Sequence, residues 1–385
     1  RKKMKIVIAI DSFKNSMTSL EAGEAAAAGI ARAYSGELPE ICIKPLADGG
    51  EGTAEAFLGL EGGERQKIHV EGPLGEPVCC TYVIVPSENL AIIEMAGAAG
   101  LGLVEKKDQD PGKTSTFGVG QVILDAIDRG IRNFIIGLGG SATNDCGLGM
   151  LQAMGYVFLD KEGNPVGRGG KYLAQVESIE NSGVRPELKD CTFRVACDVN
   201  NPLRGPRGAS FIYGPQKGAD PDTVRELDFG CRHFAQKVKE FRGKDESDTP
   251  GAGAAGGLGF AFMSFLHAIF RPGAEMILEE TGLEKELQGA DFLVTGEGKL
   301  DEQTAMGKAP ARAAALAKKY GVKTIALAGG VEQSARICNE KGIDAFFSIV
   351  NGAISLEQAM EKEQAKENMS FSAEQIFRLI RTCSE

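Results

Sequence analysis

The sequence predicts an α/β fold divided into two domains. Apolar runs of strand length alternate with helix-like runs at both ends of the chain, a pattern that builds a parallel sheet with helices on its faces. The middle carries short strands closely separated by turns, which indicates antiparallel or mixed pairing. At 385 residues the chain is long for one core. The economical arrangement is a doubly wound, Rossmann-like domain made from both chain ends, residues 1–68 and 285–385, with a mixed α/β domain, residues 69–284, inserted into it. A purely sequential division is the alternative.

The elements follow in order. Lys5–Ile10, KIVIAI, reads as a buried strand. The Ala- and Glu-rich stretch Ser19–Ala33 reads as a helix with Thr18 or Ser19 as its N-cap. Ile41–Leu46 is the next strand and runs straight into ADGGEGT, after which a helix carries Ala54–Leu60. Lys67–Val70, Val78–Val85 and Leu90–Met95 are short strands punctuated by EGPLGEP and PSEN. Phe134–Leu138 is a buried strand that enters a glycine-rich turn and a helix. Thr192–Cys197 adds a strand, Val224–Phe241 a helix, and residues 239–250 a polar surface loop. The parallel pattern returns in Phe292–Thr295, Thr324–Ala328 and Phe346–Val350. The charged final stretch, Glu357–Glu385, reads as a solvated helix.

Composition narrows the function. There are 43 Lys and Arg against 53 Asp and Glu, a net charge of −10. That balance argues against nucleic acid or an anionic membrane as the main partner, yet leaves room for a local cationic pocket. Nine cysteines without a CxxC pair, and three histidines, supply no zinc pattern and point to reduced, cytosolic thiols. Gly251–Phe270 is long and uncharged enough to raise the question of a membrane span. Its glycine- and alanine-rich first half fits a small-residue turn feeding a buried helix better.

Loops rich in glycine, acids, amides and hydroxyls follow the strands repeatedly, where ligands collect in open α/β sheets. LADGGEGT places Asp48 and Glu51 among three glycines. GLGGSATNDCGLG follows a strand and enters a helix, so its backbone N–H groups suit phosphate. Gly139, Gly140, Ser141, Thr143 and Asn144 belong to this loop, and Asp145 is placed to face a metal. A helix cap alone would need only one such residue. DSFKNS offers Asp11, Ser12 and Lys14; NPLRGPRGA offers Arg204 and Arg207 as an anion clamp; GPQKGA offers Lys217. Asp198 in CDVNNPL and Glu297 and Asp301 in TGEGKLDEQT lie at strand ends, where a carboxylate takes a proton from an alcohol or holds magnesium through water. No Walker A motif, protein-kinase signature or GxSxG elbow is present. Phosphoryl transfer to an alcohol needs phosphate donors, a cation, a carboxylate near the hydroxyl and positive charge around the transferred group, and candidates for each part are present.

Taken together, DSFKNSM, PLADGGEGT, EGPLG, IEMAGAAGL, TSTFGVGQ, GLGGSATNDCGLGM, CDVNNPLRG, GPQKGA, GAGAAGGLG and TGEGKLDEQT resemble the bacterial two-domain, non-Walker glycerate kinases, in the same order, from the first strand to about Lys308. Asn15 and Cys146 stand where that family commonly has glycine. The resemblance implies a Rossmann-like domain, a distinct α/β domain with the site between them, and transfer of the ATP γ-phosphate to D-glycerate with Mg2+, generally giving 2-phosphoglycerate. On that footing Asp198 is expected as general base with Glu297 next, and Asp11 and Ser12 contact substrate. Asp48 and Glu51 coordinate magnesium or bind the glycerate hydroxyls. Lys14, counted as catalytic, and Arg204 or Arg207 meet the glycerate carboxylate or the γ-phosphate. The loops at Gly139–Asp145 and at Gly253, Gly256 and Gly257 hold the nucleotide phosphates, and Asp48, Asp145 and Asp198 are the metal candidates. A cytoplasmic monomer or homodimer is expected, with no nucleic acid and no membrane. The alternatives are a glycerate 3-kinase or a kinase of another hydroxy acid, a non-catalytic small-acid binding protein, and a dinucleotide oxidoreductase. The loop DSFKNS, in place of GxGxxG after the first strand, disfavours the last.

Overall fold

The computed structural model describes residues 3–34, 36, 38–58 and 62–384. Its strands, in chain order, are β1 (Lys5–Ile10), β2 (Glu40–Ile43), β3 (Glu64–Glu71), β4 (Pro77–Val85), β5 (Leu90–Glu94), β6 (Asn133–Gly137), β7 (Val157–Leu159), β8 (Ser178–Glu180), β9 (Thr192–Ala196), β10 (Ile269–Arg271), β11 (Phe292–Leu300), β12 (Lys323–Val331) and β13 (Ala345–Ser348). The chain forms two compact units. The first comprises the chain through Asp48, a short segment beginning at Glu55, and the chain from Ala274 onward. The second comprises Gly49–Ala54 and Gly62–Gly273. These limits differ from 68/69 and 284/285 for two reasons. β3 pairs with β4 along its whole length, and Leu278, Leu283 and Leu287 pack into the core of the first unit.

The first unit holds a five-stranded, all-parallel sheet in the order β13-β12-β11-β1-β2. KIVIAI is apolar on both faces because both faces are covered. Ile6, Ile8 and Ile10 enter one core with the helices Ser19–Ala33 and Lys362–Ser384. Val7 and Ala9 enter the other with Leu283, Leu287 and the Ala309–Lys319 helix. From β1 the chain proceeds to β2 on one side, and β11, β12 and β13 build outward on the other, so strand order reverses between β1 and β11. In an open α/β sheet a ligand crevice opens at such a reversal, beyond the carboxyl ends of the strands. Thr18 caps the first helix in a full capping box with Glu21.

The C-terminal helix corrects one expectation. Lys362–Ser384 is not a solvated helix: Ala365, Met369, Ala373 and Phe377 are buried against the core. Their spacing of four places them on one face, which the density of charge around them hides. The backbones pack closely here. A Cβ added to Gly29 would lie 1.9 Å from the Ser370 carbonyl oxygen.

The second unit holds a mixed six-stranded sheet, β10-β9-β6-β5-β4-β3. β5, β6, β9 and β10 run parallel, and β3–β4–β5 form an antiparallel meander. β7 and β8 form a separate hairpin. The uncharged segment after Gly251 makes a turn and the buried helix Ala254–Leu266. Among the described residues no helix is long and apolar enough to cross a membrane. The helix expected over Ala54–Leu60 is seen as Thr53–Leu58; Gly59 and Leu60 lie outside the described residues.

Replacing Gly29 by Ala separates packing from propensity. Helix propensity favours Ala by up to ~1 kcal/mol, whereas the clash with the Ser370 carbonyl falls on backbone that cannot swing aside, with an overpacking cost of about 1–3 kcal/mol. Urea unfolding is expected to show Gly29→Ala less stable than the parent. A more stable variant would mean that the two helices do not approach this closely.

Candidate active site

At the reversal between β1 and β11 the first unit opens a pocket of about 670 Å³. Asp11, Ser12, Lys14, Asp48 and Glu297 line it, together with Lys299, Lys308, Gly329 and Gly330. Five residues expected from the sequence to serve the site therefore share one pocket. Asp11 follows β1 directly, where its N–H donates to the Gly296 carbonyl at 2.9 Å, and its Oδ1 accepts from the Ser12 N–H at 2.7 Å. Burial, then the neighbouring charges of Asp48 and Glu297, push its carboxyl up to about 7, against the pull of the Ser12 bond and Lys14. Glu297 is buried within β11, accepts a hydrogen bond from the Thr304 hydroxyl and lies 3.8 Å from the Lys308 ammonium. Burial raises its carboxyl as well. Lys14 is exposed on the loop.

The two acids of ADGGEGT fall in different units. Asp48 faces this pocket, whereas Glu51 is exposed in the second unit, where its charge helps to raise Glu94 after the larger effect of burial.

In the second unit the expected phosphate loop splits. Gly139 and Gly140 are exposed at the end of β6. The residues after them turn inward: Thr143, Asn144 and Asp145 are fully buried. The Asp145 carboxylate accepts from the N–H and hydroxyl of Thr116 (2.9 Å each) and from the N–H groups of Gly147 (3.1 Å) and Gly149 (3.2 Å). Burial nonetheless pushes its carboxyl up. A carboxylate so enclosed braces the loop and is not presented to a metal, contrary to the expectation. Lys217 is buried beside it and donates to Ser141 Oγ and the Thr143 carbonyl, both at 2.7 Å. Burial lowers its ammonium to about 7, opposed by Asp145.

The glycines of GAGAAGGLG also belong to packing. Ala255, Gly256 and Gly257 have φ of 52°, 64° and 88°, and a Cβ on Gly256 would lie 1.9 Å from the Thr143 carbonyl oxygen. Gly253, Gly256 and Gly257 are all buried. Their bareness lets this turn lie on the Thr143–Cys146 backbone, so these are not exposed phosphate donors. Asp198 is exposed after β9 and accepts from the Gly273 N–H at 3.3 Å. Arg204 donates to Ser247 Oγ (3.3 Å) and pairs with Asp248 (3.2 Å), while Arg207 is exposed.

Lys308 and Thr304 were not among the expected site residues. The signal was present in GEGKLDEQTAMGKAP: a second lysine immediately before a helix that opens with proline. Asn15 and Cys146, where the resembling family commonly has glycine, have φ of 62° and 49°, the left-handed region in which glycine carries no Cβ penalty.

Among the described residues no group of three or more His, Cys, Asp or Glu side chains could hold a metal ion by itself. Magnesium bound with a nucleotide asks for less, one or two carboxylates beside phosphate oxygens and water. Asp48 and Glu297 line the pocket and are two carboxylates of that kind.

A parallel sheet with carboxylates and lysines around a large pocket at its strand reversal is the framework of a small-molecule phosphotransferase. The chain belongs to the glycerate kinase family, whose profile, described as "Glycerate kinase family", matches residues 6–381. It is 46% identical to a "Glycerate kinase" of Halalkalibacterium halodurans over 95% of this chain and 97% of that one. It is 43% identical to the "Glycerate 2-kinase" of Escherichia coli K12 over 92% of this chain and 93% of that one. A crystal structure from Salmonella typhimurium LT2, provisionally designated glycerate kinase 2, superposes with a TM-score of 0.91 at 39% identity, covering 100% of both chains. The chain is an ATP-dependent kinase that phosphorylates an alcohol group.

The raised Asp11 carboxyl has a consequence for stability. Its folded value, about 7, lies above the ordinary 3.8, so the folded state binds the proton more tightly. Stability from this group is complete below about pH 4 and is lost as pH rises toward 7. Asp11→Asn keeps the oxygen that accepts from Ser12 and removes the titration. Relative to the parent, the variant is expected to gain several degrees in Tm between pH 4 and pH 8 in ligand-free protein. A constant difference across that range would contradict the assignment.

Proposed function

We propose that the chain transfers the γ-phosphoryl group of ATP to the 2-hydroxyl of D-glycerate, giving 2-phosphoglycerate and ADP, with Mg2+. The observation that carries this reading is the convergence of Asp11, Asp48 and Glu297 with Lys14 and Lys308 on one pocket at the strand reversal of the parallel sheet. The similarity to the E. coli protein named a glycerate 2-kinase favours the 2-hydroxyl over the 3-hydroxyl.

Asp11 is the group best matched to accept the hydroxyl proton, since a general base works best with a pKa near the working pH. It takes the place that the sequence reading gave to Asp198. As the substrate oxygen forms its bond to phosphorus, the bond from phosphorus to the bridging oxygen breaks, ADP leaves, and the hydroxyl proton passes to an Asp11 carboxylate oxygen. Lys14 and Lys308 place positive charge around the transferred group. Glu297 is held in place by Thr304 and Lys308, and with Asp48 it would hold the magnesium ion. When bound, that ion supplies charge neutralisation at the phosphate oxygens. The nine free cysteines favour a reducing, cytoplasmic setting.

The test is product identity. D-glycerate and MgATP are supplied and the product is passed to enolase with and without phosphoglycerate mutase. Enolase alone is expected to consume it; a requirement for the mutase would establish the 3-phosphate. In the same assay Asp11→Asn is expected to lower kcat by about 10²-fold or more, the usual size of a general-base contribution. An unchanged kcat would remove Asp11 from the chemistry.

A further inference from the structure

The pocket is two-sided in character, and the phosphoryl-transfer reading uses only one side. The charged side lies at β1 and β11. The opposite wall, beyond β12 and β13, consists of Val331, Ile349, Val350, Leu356, Ala359 and Met360. Three of these come from the short helix Leu356–Met360. Leu356, Ala359 and Met360 stand at i, i+3 and i+4 and so share one helix face. A full capping box fixes the start of that helix: the Ser355 hydroxyl accepts from the Gln358 N–H at 3.2 Å, and the Gln358 side chain accepts from the Ser355 N–H at 3.0 Å. Yet Leu356 is 76% exposed and Val331 36%. Leu356 is thus a large apolar side chain on a capped helix at the pocket rim, largely in water and continuous with the apolar wall.

Glycerate is not that partner. It carries oxygen on every carbon and has no apolar surface to lay against this wall. A pocket of about 670 Å³ is of the size that accommodates an extended organic ligand, far larger than a three-carbon acid. A purine nucleotide matches both properties, with a flat apolar ring at one end and phosphates at the other. Between the two sides lie Gly329 and Gly330 at the end of β12, which let a ribose or phosphate approach the backbone. Lys308 stands at the N-terminus of the Ala309–Lys319 helix on the charged side, where cation and helix dipole both favour phosphate.

We propose that this pocket of the first unit is the nucleotide site. The base lies against the wall formed by Val331, Ile349, Val350 and the Leu356–Met360 helix, and the phosphates run past Gly329 and Gly330 toward Lys308 and Asp11. This rests on the phosphotransferase reading and moves the nucleotide away from the Gly139–Asp145 and Gly253–Gly257 loops, whose inner residues are buried. It also gives a role to the segment after β13, which the sequence motifs leave without one.

The test measures ADP binding by calorimetry, with magnesium and without any acceptor, on the full chain. Leu356→Asp puts a charge on the wall at an exposed position and is expected to weaken ADP binding about tenfold or more, while Leu356→Met stays within about twofold of the parent. In turnover the KM for ATP is expected to rise and the KM for glycerate to stay within about twofold. Should Leu356→Asp melt well below the parent, Met360→Ala takes its place. Unchanged ADP affinity in a folded variant overturns the proposal. So does a change of oligomeric state without a change in affinity, which would make the wall a self-association surface. Loss of ADP binding in Gly139→Glu with Leu356→Asp at parental affinity would return the nucleotide to the second unit. Because no acceptor is present, the binding result holds even if the acceptor is not glycerate; failure of glycerate turnover with intact, Leu356-dependent ADP binding would reject the substrate and keep the nucleotide site.

Discussion

Burial of the Asp11 carboxyl beside the like charges of Asp48 and Glu297 is the constraint on which the account of this protein depends. Three carboxylates around one partly buried pocket oppose folding unless protons or cations offset them. The sheet brings Asp11 and Glu297 together through the pairing of β1 with β11, where Ile10 lies opposite Gly296. That register is fixed by Ile6, Ile8 and Ile10 on one face of β1 and Val7 and Ala9 on the other, and not by the acids themselves. The scaffold therefore places carboxylates of like charge together in one pocket, the arrangement on which the proposed phosphoryl-transfer site is built. The buried thiols, by contrast, are apolar fillers: burial pushes Cys80 up to about 12, and Cys146 and Cys231 lie in the core with their sulfurs 3.4 Å apart.

The second unit solves its buried-charge problem differently. Asp145 is surrounded by hydrogen-bond donors, and Lys217 reaches the same loop from another segment. A buried carboxylate and a buried amine, each hydrogen-bonded, brace the loop after β6, and the Cys146 N–H, donating to the Gly256 carbonyl at 3.0 Å, ties it to the turn at Ala255–Gly257. Polar residues at such density resemble a ligand site when read along the chain, but here Asp145, Lys217, Ser141 and Thr116 bond within the unit, while Thr143 Oγ1 and Asn144 Oδ1 are buried without a partner among the described residues.

That difference explains how much was legible in the sequence. β1 is recognisable to the residue, and Thr18 is one of the two N-caps the sequence offers, beside Ser19, because both rest on local signals: an apolar run, and hydroxyl residues directly before a helix. The antiparallel meander and the parallel ends were legible for the same reason. Asp11, Ser12, Lys14, Asp48 and Glu297 line one pocket, and the sequence points to them because they sit in loops or near strand ends at the carboxyl edge of one sheet. Asp145, Gly256 and Gly257 could not be sorted in advance, since a glycine that lets a phosphate approach and a glycine that lets another backbone approach have the same spelling. The C-terminal helix was misread because Ala365, Met369, Ala373 and Phe377 form a stripe of modest hydrophobicity within a charged sequence. Lys308 lay in plain view after a glycine, but only the fold shows that it faces Glu297.

The central claim is that burial, aided by the charges of Asp48 and Glu297, holds the Asp11 carboxyl well above the ordinary aspartate range until a cation and a nucleotide arrive. The direct measurement is the pH titration of the Asp11 side-chain carbonyl carbon by NMR, with Asp11→Asn identifying the signal. In free protein the account predicts a midpoint of about 7 that moves to lower pH when magnesium and ADP are added. A midpoint in the ordinary aspartate range, or one that magnesium and ADP leave in place, would contradict it.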